Sequence, residues 1–101
     1  MHHVATARFH FALAVSHATR DPDDPVTIDA ISMRILAGIE GLAAMSEATR
    51  ADLVGDMWPD IRGMRNRIAH GYATVEPKFI LKTAHEDLPE LIRRLDAFTA
   101  H

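Results

Sequence analysis

The sequence predicts an all-α fold of four to five helices that form a single domain over residues 1–101. Apolar residues recur in several segments at the spacing of a helix that is buried on one side. Glycine and proline separate these segments, and no stretch shows the alternation of apolar and polar residues that is typical of a strand. Apolar residues make up 48% of the chain and charged residues 25%, a composition typical of globular domains with one core.

The first helix is predicted over roughly His3 to Thr19. Its apolar stripe consists of Val4, Ala7, Phe11, Val15 and Ala18. Phe9 and Leu13 extend the apolar surface to a second face of this helix. The stretch TRDPDDPVT follows and contains two prolines and three aspartates, so it is predicted to be a polar loop.

The second helix is predicted to begin at Thr27 as its N-cap, with Asp29 in the first turn near the positive end of the helix. Five large apolar residues follow at helical spacing: Ile28, Ile31, Ile35, Ile39 and Leu42. This regular stripe predicts that the second helix forms the centre of the core.

Two glycines, Gly38 and Gly41, lie inside this second helix, where each costs about 1 kcal/mol relative to alanine. Small residues in a buried helix indicate that a neighbouring helix comes close. Ala37, Gly41 and Ala44 fall on one such stripe. Packing within the chain is the simpler explanation of that stripe, and a contact between subunits is the alternative.

The third helix is predicted to follow SEATRADLVGDM, a stretch that we interpret as a frayed helix end or a short extra turn. Pro59 disfavours helical geometry at Trp58 and suits the first turn of a new helix, where Asp60 meets the positive helix end. Gly71 is placed to act as the C-terminal cap. The apolar stripe of this helix consists of Ile61, Met64 and Ile68.

The last third of the chain predicts two more helical segments. One passes through Phe79, Ile80 and Leu81. The other begins at Asp87, which with Glu90 three residues later forms a capping box, and Pro89 is tolerated in its first turn. Its apolar stripe consists of Leu88, Leu91, Leu95 and Phe98.

Charge, cysteine content and hydropathy limit the classes of function. The formal net charge is −3, which does not favour general affinity for nucleic acid. The chain has no cysteine, which fits a reducing compartment, and no apolar run approaches the roughly 20 residues of a membrane span. We also expect no signal peptide, so the default expectation is a cytoplasmic protein without a membrane partner.

Motifs for metal, nucleotide and serine-hydrolase chemistry are missing from the sequence. The seven histidines include no H-x-x-x-H or H-E-x-x-H pair, and His10 and His17 are too far apart on one helix for close chelation. Neither a Gly-rich phosphate loop nor a G-x-S-x-G elbow is present. We therefore expect no metal and no other cofactor.

The predicted third helix carries a local basic cluster in this acidic chain. Between Ile61 and Tyr72 there are three arginines, Arg62, Arg65 and Arg67, and no acidic residue. Asn66 and His70 are four residues apart and share a helix face, whereas Arg65 and His70 are about 140° apart around the axis. A two-fold partner chain would bring a second copy of both residues into one cleft.

These residue types suit RNA cleavage without a metal. His70 is an imidazole that can take the proton of a ribose 2′-hydroxyl, because imidazole titrates near neutrality. Arg65 can stabilise the phosphorane-like transition state with two hydrogen bonds, and Asn66 can orient His70 or the phosphate. On spacing alone, the simpler interpretation is a solvated helix end with favourable positive charge.

The stretch RNRIAHGY matches the R-N-x-x-x-H-x-Y pattern and resembles the HEPN superfamily, particularly its HepT-like toxin branch. The surrounding MWPDIRGMRNRIAHGY is similar to the W-x-D-I-x-G-M-R-N-x-x-x-H-G-Y block of that branch. HEDLPELIRRL resembles its terminal D-L-P-E-L helix, and AISMRILAGIEGLAAMSE is a looser match.

This resemblance implies a HEPN-type bundle that forms a two-fold homodimer, with the motifs of both subunits facing one cleft. It implies an endoribonuclease toxin with Arg65 and His70 as the catalytic pair and Asn66 as the motif asparagine, and we assign Arg62 and Arg67 to RNA binding. The implied partners are RNA and a cognate nucleotidyltransferase antitoxin, which would silence the toxin by transferring AMP to Tyr72. A larger complex of the homodimer with the antitoxin is a further expectation.

Two other interpretations remain open at this stage. One is a non-catalytic HEPN module that binds nucleotide, RNA or a nucleotidyltransferase partner, and the overall acidity of the chain favours it. The other is a helical dimer with a purely structural role.

Overall fold

A computed structural model describes residues 2–71 and 74–99, and the regular secondary structure within these ranges is helical with no strand. The helices are α1 (His2–His17), α2 (Pro25–Ala43), α3 (Glu47–Val54), α4 (Trp58–Gly71), α5 (Pro77–Lys82) and α6 (Leu88–Thr99). A π-helical turn, Thr83–Asp87, joins α5 to α6 without a break and is called the π-turn below. The chain therefore folds into five helical segments over the described ranges, which confirms the all-α prediction.

The predicted central helix is α2, and its apolar stripe forms the middle of the core. Its five predicted core residues are all buried: Ile28, Ile31, Ile35, Ile39 and Leu42. The prediction of a close neighbouring helix is also confirmed, because Gly38 faces the ring of Phe11 on α1, and Gly41 faces Ala7. A Cβ atom at Gly41 would lie 3.1 Å from the backbone nitrogen of Ala7.

Helices α1 and α6 complete the core around α2. The buried residues of α1 are Val4, Ala7, Phe11 and Ala14, so Ala14 rather than Val15 lies at the core. On α6 the buried residues are Leu88, Leu91 and Leu95. The two helices are also joined at the surface, where Arg8 Nε donates a 2.6 Å hydrogen bond to Asp96 Oδ1. No helix in the described ranges is both long and apolar enough to span a membrane.

The start of α2 corrects two of our predictions. The N-cap is Asp24 and not Thr27, because the side chain of Asp24 accepts a 2.9 Å hydrogen bond from the backbone nitrogen of Val26. Pro25 fits the next position, where its fixed φ is helical and its missing N–H costs nothing. Thr27 is buried within the helix, and Asp29 lies beyond the first turn.

The chain between α5 and α6 corrects the predicted capping box. Asp87 ends the π-turn and Leu88 continues with right-handed helical geometry, so there is no N-cap at this point. Glu90 does not bond back to Asp87; its carboxylate accepts hydrogen bonds from Arg93 and Arg94. The π-turn keeps the chain helical because Thr83 and Ala84 are both buried, which favours continued packing over a solvated cap.

Helix α3 is longer than the short extra turn that the sequence suggested, and it connects α2 to α4. Ser46 caps it by accepting a 3.1 Å hydrogen bond from the backbone nitrogen of Thr49. Arg50 donates to the carbonyl oxygens of Ala43 and Met45, and its guanidinium lies 4.8 Å from the ring centroid of Trp58. One arginine of α3 thereby holds the end of α2 against the first residue of α4.

Glu90 makes the stability of the fold depend on pH in the acidic range. Hydrogen bonds from Arg93, and then from Arg94, lower the pKa of Glu90 from 4.5 to about 2. Because the folded-state pKa is the lower one, the ionised carboxylate stabilises the fold above pH 4.5, and this contribution is lost as the pH falls from 4.5 to about 2. We expect Glu90→Gln to flatten the pH dependence of the urea midpoint in that window.

A matched control for this measurement is Glu76→Gln, since the side chain of Glu76 makes no capping hydrogen bond at the start of α5. The control protein should keep the acid dependence of the wild-type chain. Equal slopes for wild type and Glu90→Gln would show that the contacts with Arg93 and Arg94 do not stabilise the folded protein.

Candidate functional site

Helix α4 carries the candidate site on its solvent side. Its core side is fixed by Ile61 and Ile68, which are buried, with Met64 partly buried against the same cluster. As predicted, Asp60 lies in its first turn, whereas Gly71, which we predicted to be the C-terminal cap, is the last residue within the helix. Gly71 does not adopt the left-handed geometry of a cap glycine, because no described glycine has positive φ. Four motif residues are exposed on the opposite side: Arg62, Asn66, Arg67 and His70.

Arg65 lies at the border between the core side and the solvent side, and two neighbours hold its guanidinium. Its Nη1 donates a 3.3 Å hydrogen bond to Asn66 Oδ1, and its Nη2 lies 3.7 Å from Oε1 of Glu40 on α2. Both charged side chains are well exposed, 40% for Arg65 and 68% for Glu40, so this pair adds little stability. Its effect is to limit where the guanidinium can point.

The contact with Glu40 was not predicted from the sequence. The signal that could have shown it is that Glu40 is the one acidic residue between Asp29 and Glu47. An exposed carboxylate in the otherwise uncharged second half of α2 is available for a neighbouring helix to use. Here α4 packs against α2 and brings Arg65 to that carboxylate.

His70 lies in the last turn of α4 and is exposed. Within the described ranges no hydrogen bond or ion pair joins its ring to another side chain, so it is not held by Asn66 or by Arg65. The amide oxygen of Asn66 is already used by Arg65. One chain therefore presents the arginine and the histidine separately, five residues apart on one helix, which is the offset that the spacing predicted.

The two remaining arginines of the motif differ in their surroundings. The guanidinium carbon of Arg67 lies 3.8 Å from the ring centroid of Phe79 on α5, which is a close cation–π contact. Arg62 makes no side-chain hydrogen bond or ion pair in the described part of the chain. Sequence reasoning placed Phe79 in a helix but did not connect it with Arg67, because the two residues belong to different helices.

Tyr72, the predicted modification site, lies outside the described residues. The chain on its far side turns back towards the end of α4. The carbonyl oxygen of Gly71 accepts hydrogen bonds from the backbone nitrogens of Thr74 and Val75, at 2.8 and 2.7 Å. Thr74 and Val75 are thereby joined to the end of the motif helix, and they precede α5, which carries Phe79.

A cleft of about 680 Å³ lies beside the motif and is lined by α2, the end of α4 and the start of α5. Its floor is apolar and includes Ile28, Leu36 and Ile68, and its charged lining residues are Asp23 and Asp29. Arg65 and His70 do not line it. The candidate site is thus the exposed surface of α4, and the negative charge of the cleft makes it unsuitable for a phosphodiester backbone.

No group of three or more His, Asp or Glu side chains in residues 2–71 and 74–99 is arranged to hold a metal ion. Among the described residues, the groups available for chemistry at the site are the imidazole of His70, the amide of Asn66 and the three guanidinium groups. These are donors of hydrogen bonds and positive charge together with one acid–base group.

The family model described as Ribonuclease HepT-like matches residues 12–98. The match covers α2 to α5 completely and includes all of R-N-x-x-x-H-x-Y. In the corresponding comparisons, no curated protein and no solved structure matches the chain.

Proposed function

The chain belongs to the HepT-like ribonuclease family, and from this premise we propose that it is a metal-independent endoribonuclease whose site is built on α4. The observation that carries the proposal is the exposed side of α4. This one helix carries Arg65, Asn66 and His70, with Arg65 restrained by its neighbours at the border of the exposed side and His70 accessible. A purely structural helix end would not need this combination of residue types.

In the proposed reaction, the phosphoryl group of the RNA backbone is transferred from the 5′-oxygen of the next nucleotide to the neighbouring 2′-oxygen. His70 removes the proton of the 2′-hydroxyl, and the 2′-oxygen forms a bond to phosphorus while the bond from phosphorus to the 5′-oxygen breaks. Arg65 donates to the non-bridging oxygens and stabilises the negative charge that grows on them. The leaving 5′-oxygen takes up a proton, so the products are a 2′,3′-cyclic phosphate and a 5′-hydroxyl.

The complete site is proposed to need two copies of the chain. In one chain no contact joins Arg65 to His70 within the described residues, and the two side chains are about 140° apart around the axis of α4. A two-fold axis beside α4 would set the Arg65 of one copy near the His70 of the other. Specific activity should then fall when the protein is diluted below the dissociation constant of the homodimer.

We also propose that the protein is a cytoplasmic toxin controlled by a nucleotidyltransferase antitoxin that transfers AMP to Tyr72. Tyr72 follows directly after α4, two residues beyond His70. A phosphate attached there would bring negative charge to the arginine cluster and would occupy the anion site that RNA needs. A small nucleotidyltransferase reading frame next to this one would support the pairing, and transfer of labelled AMP to wild type but not to Tyr72→Phe would test it.

The experiment that tests the proposed activity is to incubate the purified protein with total cellular RNA in the presence of EDTA. Cleavage should persist because the reaction uses no metal ion, and the fragments should end in a 2′,3′-cyclic phosphate. The end group is identified by ligation of a label to the 3′-hydroxyl, which should succeed only after the cyclic phosphate has been removed enzymatically. The proposal fails if RNA stays intact at high protein concentration, or if the fragments carry a 5′-phosphate.

The alternative function is a non-catalytic module that binds nucleotide, RNA or a nucleotidyltransferase partner. Two observations favour it: the net charge of −3, and the carboxylate of Glu40 beside Arg65, which weakens the positive field at the site. This alternative predicts that Arg65→Ala weakens ligand binding while expression of the wild-type protein never slows cell growth.

A further inference from the structure

Arg67 and Phe79 form a stacked pair on the surface beside the candidate site. The guanidinium carbon lies 3.8 Å from the centroid of the ring, which is close to van der Waals contact and places the cation over the ring face. Arg67 stays exposed in spite of this contact, while Phe79 is half-buried against the core. The ring thus covers one face of the guanidinium and leaves the other towards solvent.

No carboxylate neutralises Arg67 within the described ranges, in contrast to four of the other eight arginines of the chain. Arg8, Arg65, Arg93 and Arg94 each pair with an Asp or Glu. Within the described ranges, Arg67 makes no hydrogen bond or ion pair with its side chain. Its charge and its donors remain available, and its orientation is set by an aromatic ring from another helix.

The position of this pair relates it to the proposed chemistry. Arg67 precedes His70 by three residues on α4, and side chains with that spacing are neighbours on a helix surface. Lys78 is exposed next to Phe79 at the start of α5, so a second unpaired cation lies near the pair. A nucleotide strand that reaches His70 would therefore pass directly beside the exposed guanidinium face.

We propose that Arg67 and Phe79 form a stacking platform for one unpaired nucleobase next to the phosphodiester that reaches His70. Unpaired bases stack on guanidinium planes and on aromatic rings, and a cation on a ring offers both properties. The guanidinium is planar by itself, and Phe79 holds it in place over the ring, so the base meets an ordered surface. The inference rests on the proposed function and adds to it a preference for single-stranded RNA with a strongly stacking base at one position.

The test measures binding rather than cleavage, with the His70→Ala protein as the common background. The probe is an oligouridylate of about ten nucleotides with one 2-aminopurine, a length within the range of single-strand binding sites. The reference strand has an abasic residue in place of the 2-aminopurine. Affinity is measured by fluorescence anisotropy of an end label, and stacking by quenching of the 2-aminopurine.

We expect the 2-aminopurine strand to bind at least about fivefold more tightly than the abasic strand, which is the low end of what stacking one base contributes. Arg67→Lys keeps the charge but loses the plane, and Phe79→Leu keeps an apolar side chain but loses the ring. Each variant should bring the ratio of the two affinities close to one and should abolish most of the 2-aminopurine quenching. Phe79→Tyr, which keeps a ring, and Arg20→Lys, a control at an exposed arginine outside α4, should both keep the affinity ratio and the quenching.

Other outcomes separate this platform from the proposed ribonuclease activity. A ratio near one overturns the platform, and so does a ratio that Arg67→Lys and Phe79→Leu leave unchanged from the background protein. Thermal unfolding of the same variants then shows whether the pair only stabilises the fold. If wild-type protein cleaves RNA while the ratio is near one, only the platform fails. If no RNA is cleaved but the ratio is large and depends on Arg67, the ribonuclease proposal fails and the platform belongs to a binding module.

Discussion

His70→Ala is expected to lower the rate of RNA cleavage by about 10²- to 10⁴-fold, the usual contribution of a positioned acid–base group. His70 is exposed in the last turn of α4, and no side chain in the described ranges bonds to its ring. The substitution therefore removes the acid–base group without breaking a contact that supports the fold. The measurement is the initial rate on a labelled RNA with enough protein to populate the homodimer.

His17→Ala is the matched control, because His17 also lies in the last turn of a helix, α1. Both substitutions remove a histidine from the C-terminal end of a helix, where a positive side chain interacts favourably with the helix dipole. Their small effects on stability should therefore be similar. Only His70→Ala should lose activity. Equal rates for wild type and His70→Ala would remove His70 from the mechanism, and equal losses in both variants would indicate an effect on folding.

The core of the bundle could be predicted from the sequence because its signal is local. The isoleucines of α2 recur at helical spacing, and each of them is buried in the folded chain. The two glycines of the same helix correctly indicated the close approach of α1. These features depend on residues within one helix, which a single sequence displays directly.

Helix ends were harder to predict, because neighbouring signals compete. Asp24 and Thr27 are both good N-cap residues, and the proline between them decides in favour of Asp24. At the start of α6 the capping box predicted a new helix at Asp87. The buried residues of the π-turn hold that segment in the core, and this tertiary packing overrides the local cap signal.

The residue types of the candidate site were visible in the sequence, but their contacts were not. Arg65, Asn66 and His70 lie on one short helix, so their spacing predicts where they stand relative to one another. The partners of the arginines, Glu40 and Phe79, come from other helices and meet them only after α2 and α5 have packed against α4. A pattern within one helix carries no information about such neighbours.

Gly38→Ala is expected to destabilise the fold, although alanine is the better helix residue. A Cβ atom at Gly38 would lie 2.5 Å from Cδ1 and 2.8 Å from Cζ of Phe11, and nearer still to Cε1. The ring of Phe11 is fully buried, so moving it away from the new Cβ atom would disturb the core side chains that pack around it. Overpacking of this kind costs about 1–3 kcal/mol, which exceeds the helix-propensity gain of about 1 kcal/mol over most of that range.

Gly63→Ala is the matched control, because a Cβ atom at Gly63 meets no atom within 4 Å. The same substitution in α4 should therefore stabilise the protein by up to about 1 kcal/mol, and the two variants should shift the melting temperature in opposite directions. Each kcal/mol corresponds to about 4–8 °C for a domain of this size.

Combining Gly38→Ala with Phe11→Leu tests the cause, since relief of a clash makes the double variant more stable than the sum of the single effects predicts. If Gly38→Ala raised the melting temperature as much as Gly63→Ala, α1 would not pack on α2 through Phe11 and Gly38.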